Sequence, residues 1–374
     1  MTTTIQPAAS EGITSREPVV TERQTPAVKI WACLGVVSLL CFAYLWTAWI
    51  TSGKAKTVHV GTNPLPHWMH VEFLVWEIGG LFVFAGFVWF FLVRPWRREG
   101  HITTDGLLVI AFLTLYWQDP LGDASGAWFT YNAGMINFGS WLGNVPGHLL
   151  PNANRMPEPL VWVWPIYVYC CLGMVLLATW LLRRFKARHP QMGTLGTVVT
   201  LFVGFWIFDA VLETCFNWMG IYVYTGSIHG VTIFSGSYFQ FPLYEAILFG
   251  TTWASWTCLH YFRNDKGESF AERGLEKLRV TGWKRTGVRL LGLIGALNLL
   301  FMITYNLPAQ YFGVHQGAWP KSIVSKSYLT DGLCGPGTSY ACPGPLIPIA
   351  HPGSAHVDPS GNLVVPSGKT LAGS

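Results

Sequence analysis

Leu195-Gly-Thr-Val-Val-Thr-Leu-Phe-Val-Gly-Phe-Trp-Ile-Phe-Asp209-Ala-Val-Leu-Glu213-Thr-Cys-Phe-Asn-Trp218 is the stretch on which the fold turns. A helix needs about 20 predominantly apolar residues to cross the hydrocarbon of a bilayer, and this run is long enough. It contains no Lys or Arg, yet it carries two carboxylates. Their i, i+4 spacing puts both on one helix face. A charge inside a bilayer is costly, so such residues default to functional candidates.

Working outward, six further runs share this apolar character: Lys29–Ile50, Glu72–Val93, Gly106–Pro120, Leu160–Leu182, Phe241–Phe262 and Val288–Leu307. The run from Gly106 is the shortest and ends in Trp117-Gln118-Asp119-Pro120, where proline stops a helix. The whole chain agrees with this reading. Of its 374 residues 51% are hydrophobic and only 11% charged, against roughly 25% charged in soluble domains. Nineteen Trp fit a molecule that meets the membrane–water interface. The net charge of +5 is modest. The bases sit in short loops between apolar runs, so they read as topology signals, and no nucleic-acid partner is expected.

Those bases set the orientation. They collect after the second run (Arg94, Arg97, Arg98), after the fourth (Arg183, Arg184, Lys186, Arg188) and after the sixth (Arg263 to Arg285). The segment from Leu121 to Pro159 has only Arg155, and that from Met219 to Gln240 has none. The first loop departs from the pattern with Lys54 and Lys56. The expected fold is an all-α polytopic bundle of about seven spans, with the N-terminus cytoplasmic and the C-terminus outside.

The expected organisation has a polar arm at 1–28, a membrane domain at 29–312 with a long outer loop at 121–159, and a Gly/Pro-rich outer tail at 313–374. The arm is mixed in charge with no apolar core, so it does not read as a cleaved signal. Most of the eight Cys lie in apolar runs, where Cys behaves as a small hydrophobe. Cys334 and Cys342 lie in the polar tail, either as a disulfide, which an outer compartment permits, or as two free thiols. Ser269 to Arg279 reads as a short amphipathic helix at the inner surface. No internal repeat stands out, which weakens inverted-repeat transporter readings.

With that topology, Glu72, Glu77, Asp119, Glu158, Asp209, Glu213 and Glu245 all fall in the outer half of the membrane. Helix-start carboxylates can be simple caps or dipole partners, which is an open alternative for Glu72, Glu158 and Glu245. Asp209 and Glu213 lie well inside a span and fit that alternative poorly. The long loop is expected to act as a lid or re-entrant segment, since long ordered loops are usually functional. It supplies Asn132, Asn152, Asn154 and the lone cation Arg155, which could clamp a substrate anion, a lipid or a carboxylate. Tyr305 and Asn306 in the last span could bond substrate oxygens.

Paired carboxylates in a low-dielectric site titrate apart, so that one acts as acid and the other as base. That suits dehydration, cyclisation or isomerisation of an apolar molecule, with no cofactor called for. Neither a phosphate-binding Gly-rich loop nor a nucleophile elbow occurs. His67-x-x-His70 with Glu72 and Glu77 could hold a metal, but Pro64, Pro66 and Trp68 mark it as an interfacial helix entry, and no metal is assigned.

At Trp117-Gln118-Asp119-Pro120, Phe129-Thr-Tyr-Asn132, Phe138-Gly-Ser-Trp141 and Pro151-Asn-Ala-Asn-Arg-Met-Pro-Glu158 the chain resembles the AveC-like spirocyclase family of actinobacterial membrane proteins, over roughly Lys29 to Phe312. The resemblance implies acid–base chemistry on a lipophilic polyoxygenated substrate such as a polyketide. Pro242-Leu-Tyr-Glu245 partly resembles the Pro-x-Glu-Glu of membrane lycopene cyclases, with Tyr244 in place of the first Glu. The expected catalytic set is Asp209 and Glu213, with Asp119, Glu158 and Glu245 as further members. The alternatives are a proton-coupled transporter or lipid-binding protein using the same carboxylates, and a non-catalytic scaffold. The expected partners are a lipophilic small molecule and membrane lipid.

Overall fold

The computed structural model describes residues 26–330 and 332–368, so the expected N-terminal arm lies outside the described residues as far as residue 25. Each apolar run becomes helical. The helices are α1 (Ala27–Thr51), α2 (His67–Glu99), α3 (Thr104–Leu113), α4 (Leu160–Arg188), α5 (Thr194–Met219), α6 (Leu243–Tyr261) and α7 (Gly282–His315). Five of them (α1, α2, α4, α5 and α7) are long and apolar enough to cross a membrane. The other two are shorter companions. α3 stops at Leu113 and the chain continues as a tight 3-10 helix over Tyr116–Asp123. α6 carries Thr251, Thr252, Ser255, Thr257 and His260, and most of its residues are buried by the bundle.

Local chemistry explains the boundaries. The Thr103 hydroxyl accepts from the Gly106 amide at 3.2 Å and caps α3, as an N-cap threonine does. Gly220 ends α5 with φ 74°, the left-handed turn that glycine allows without penalty. Glycine also sets how closely helices approach. A Cβ on Gly35 of α1 would lie 2.0 Å from the Leu291 carbonyl oxygen, and one on Gly295 of α7 2.0 Å from that of Trp31. Small residues of this kind let helix backbones touch where no hydrophobic force drives association.

The loop at 121–159 is not a free lid. It is packed into one end of the bundle, with Trp128 and Trp141 fully buried. Strand β1 (Thr130–Tyr131) pairs antiparallel with β2 (Tyr222–Val223), which follows α5. The Glu77 carboxylate accepts from the Ile136 amide at 2.7 Å, and the Trp141 indole donates to the Trp117 carbonyl at 2.7 Å. A buried loop must satisfy its own backbone groups, and these contacts do so. Two further hairpins, β3 (Thr232–Ile233) with β4 (Phe241–Pro242) and β5 (His356–Val357) with β6 (Leu363–Val364), complete the strands among the described residues. Beyond His315 the chain packs over the loop, for example from the Ala133 amide to the Tyr328 carbonyl at 2.9 Å. Cys334 and Cys342 are joined in a disulfide.

Ser269 to Arg279 is not an amphipathic helix. It forms turns and a single 3-10 turn at Leu275–Lys277. Gly274 at φ 86° breaks the helical path, and Glu272 turns inward to Arg289 of α7.

Candidate functional site

The Trp117-Gln118-Asp119-Pro120 segment shows how sequence builds the site. The Trp117 indole donates to the Asn298 side-chain oxygen at 2.9 Å and the Gln118 amide to the same atom at 2.7 Å. Asn306 donates to the Gln118 oxygen at 3.2 Å. Trp117 and Gln118 thereby lock the segment to α7, and Asp119 between them and the proline faces a cavity of about 90 Å³. That volume holds several waters.

Asp119, Glu213 and Glu245 reach this cavity from three separate elements, together with Tyr131, Tyr167, Tyr222, Tyr224 and Tyr305. Among the described residues no Lys, Arg or His lines it. Two of the lining stretches are π-helical turns, Tyr167–Leu172 in α4 and Met302–Asn306 in α7. Such turns widen a helix and recur at functional sites.

Asp119 is held by two phenols. Tyr131 donates to one oxygen at 2.9 Å and Tyr167 to the other at 2.6 Å. Glu158, 2% exposed, is a near neighbour of Asp119 and Ser140, and one of its carboxylate oxygens has no donor. Glu213 accepts from Tyr222 and from Tyr224, the latter at 3.0 Å. Asp209 lies behind, completely buried, with both oxygens lacking a donor, and Glu245 has one such oxygen. Carboxylate oxygens of Asp209 and Glu245 lie within 4.8 Å of each other. Close approach of α5 and α6 makes this meeting possible, since a Cβ on Gly250 would lie 3.0 Å from the Phe205 backbone.

Asp209, Glu213 and Glu245 have carboxylate oxygens within 4.8 Å of one another and form the set among the described residues able to hold a metal ion. His67 and His70 are exposed and belong to no such set.

The five expected catalytic carboxylates therefore lie in two adjoining groups, Asp119 with Glu158 and Asp209 with Glu213 and Glu245. The expected binding residues separate. Tyr305 faces the cavity. Asn306 holds Gln118. Asn132 donates to the Gly220 carbonyl at 2.9 Å, Asn152 to that of Leu333 at 3.1 Å, and Asn154 to that of Ser140 at 3.0 Å, so all three brace the loop. Arg155 lines a different cleft with Lys54, Lys56 and His59. Glu77 binds the loop and Glu72 stands apart from the cavity.

Sequence reasoning found Tyr305 but missed Tyr131, Tyr167, Tyr222 and Tyr224, and a fourth lining carboxylate, Asp123. The available signal was Tyr222-Val-Tyr224 directly after a helix-ending glycine, because alternate residues of an extended segment share one face.

A family model described as Spirocyclase AveC-like matches residues 96–329. No curated protein and no solved structure matches the chain.

Proposed function

The chain belongs to the AveC-like spirocyclase family, and from that premise we propose that it is a membrane enzyme using buried carboxylates as acid and base to dehydrate and cyclise a lipophilic polyoxygenated molecule such as a polyketide or lipid. The observation carrying this reading is the convergence of Asp119, Glu213 and Glu245 on one aromatic cavity whose lining holds no basic side chain.

Carboxylates this close, with no cation to balance them, share protons, so each pair offers an acid beside a base. In the reaction we envisage, a protonated carboxyl gives its proton to a ketone-derived hydroxyl, which leaves as water. A substrate hydroxyl attacks the resulting oxocarbenium carbon, and a carboxylate removes the proton of that hydroxyl. A ketone and two hydroxyls become a spiroketal and one water. Glu213, oriented by two phenols, and Asp119, oriented by two others, are the groups that meet substrate. Glu158 and Asp209 return protons from behind. The faces of Tyr222, Tyr224 and Phe129 stabilise the transient cation. Tyr305 is the binding residue nearest the chemistry.

The reading also puts the chain in the cell membrane as a multi-pass protein of about seven spans. The N-terminus is cytoplasmic and the C-terminus outside, with the membrane domain at 29–312 and the tail at 313–374. What supports it is the five membrane-length helices and the bases gathered after α2, α4 and α6.

The test uses the full chain in lipid nanodiscs with a long-chain dihydroxyketone, following loss of one water by mass spectrometry. Separate Asp119→Asn and Glu213→Gln variants should fold and lose turnover. Full turnover in both would overturn the assignment. Uptake of unaltered probe driven by a proton gradient would replace it with transport.

A further inference from the structure

The cavity has a neighbour along the same seam. Between α4 and α5 lies an apolar groove of about 510 Å³, lined by Met174, Ala178, Phe205 and Phe208 among others. The cavity is lined one turn further along the same two helices by Cys171 and Leu212. Trp253 of α6, itself in the cavity wall, closes the gap between them, with its ring 5.5 Å from Phe205 and 5.2 Å from Phe208. Gly204 lines the groove, and a Cβ there would meet nothing within 4 Å. At the end away from the cavity stand Arg184 and Arg188, both exposed. Among the described residues neither has a carboxylate at ion-pair distance. Arg184 stacks 3.8 Å over the Trp180 ring, which leaves its guanidinium edge free to bind an anion.

From this arrangement we infer that the groove is the lipid-facing arm of the same binding site. It receives the single apolar chain of the substrate from the bilayer and holds a carboxylate at the end of that chain on Arg184 and Arg188. The inference rests on the enzymatic reading above and names its substrate class. Three features select this occupant. The lining is apolar, the charge at one end is positive and unpaired, and the other end abuts the cavity across one turn. With Trp253 between groove and cavity, an occupant reaching both is one extended chain rather than the two chains of a phospholipid. The rise from Thr200 to Glu213 is about 20 Å at 1.5 Å per residue. The substrate is therefore a long apolar acid whose reacting oxygens lie about that far from its carboxylate.

The probe is palmitic acid bearing a diazirine, compared with the matching diazirine alcohol, on the full chain in nanodiscs. The acid should crosslink to peptides spanning residues 174–188 and 200–208. Gly204→Trp, which fills open space more than one helical turn from Asp209, should lower that labelling about tenfold or more. Arg184→Ala with Arg188→Ala should lower labelling by the acid about tenfold and leave the alcohol unaffected. Glu213→Gln should leave labelling unchanged, so a failed catalytic reading and a failed groove are told apart. If Gly204→Trp does not fold, the arginine pair decides alone. Equal labelling of native chain and variants would overturn the inference. So would a phospholipid retained in native mass spectra and lost in Gly204→Trp, with no crosslink from the acid.

Discussion

The two ends of the helix bundle treat buried acids in opposite ways. At the end carrying the loop, Asp119, Glu158, Asp209, Glu213 and Glu245 are buried among phenols and one another, with no base in the cavity lining. At the other end, among the described residues, Glu272 and the half-exposed Asp105 have basic partners, and the buried Glu268 is held by Asn264. Glu272 receives Arg289 at 2.8 Å together with the Ser269 hydroxyl at 2.8 Å. Asp105 meets His260 at 3.1 Å, and the other ring nitrogen of His260 meets Thr179 at 2.9 Å. α3 links the two regimes, with Asp105 in its first turn and Asp119 just past its last. A paired buried charge is satisfied and serves the fold, whereas acids left without bases retain exchangeable protons. On the proposed reading, the difference assigns chemistry to one end and structure to the other.

Substitutions at the two ends should diverge accordingly. The largest effect is expected from Glu213→Gln. Turnover of the dihydroxyketone should fall about 10²–10⁴-fold, the usual contribution of one acid or base. Thermal unfolding should be unchanged or later, because a buried acid has become neutral. A collapse in stability with normal turnover per folded molecule would make the two ends alike and break the comparison.

Next comes Arg289→Met, which strands Glu272 in the interior. Removing one partner of a buried pair costs about 3–5 kcal/mol, visible as a lower unfolding temperature and a smaller monodisperse fraction on size exclusion. Turnover per folded molecule should be unaltered. A smaller effect is expected from Tyr224→Phe, which removes one of two phenols from Glu213 and is worth about 1 kcal/mol, or close to fivefold in rate. The pH profile of turnover should change with it. The smallest is Thr179→Val at the paired end. Loss of its contact with His260 should cost about 0.5–1 kcal/mol of stability and leave the pH profile in place, so a moved profile would count against the division.

Much of the fold could be read without coordinates, because apolar length is a local property. All seven apolar runs became helices, although only five are both long and apolar enough to cross a membrane. The two exceptions have visible causes. Pro120 and the tight turn before it shorten α3, and the hydroxyls of α6 reflect burial by protein on most sides. The chain also carried the identity of the acids.

The partners of those acids were a different matter. Tyr131 reaches Asp119 from a strand paired with β2, and Arg155 lines a separate cleft although it sits in the same loop as Glu158. Neither relation has a sequence spacing. The three loop asparagines, expected as ligands for substrate, donate to the carbonyls of Gly220, Leu333 and Ser140 and so tie the loop to its surroundings, as burial of a long irregular segment demands.

By itself the sequence determined the helices, the membrane class and the presence of acids without bases in their own spans, since each depends on residues close together along the chain. Tertiary structure alone decided which acids meet, which phenols orient them and that a groove adjoins them. Those relations depend on side chains brought together across helix faces, where close approach at Gly250 and Gly295 sets the geometry.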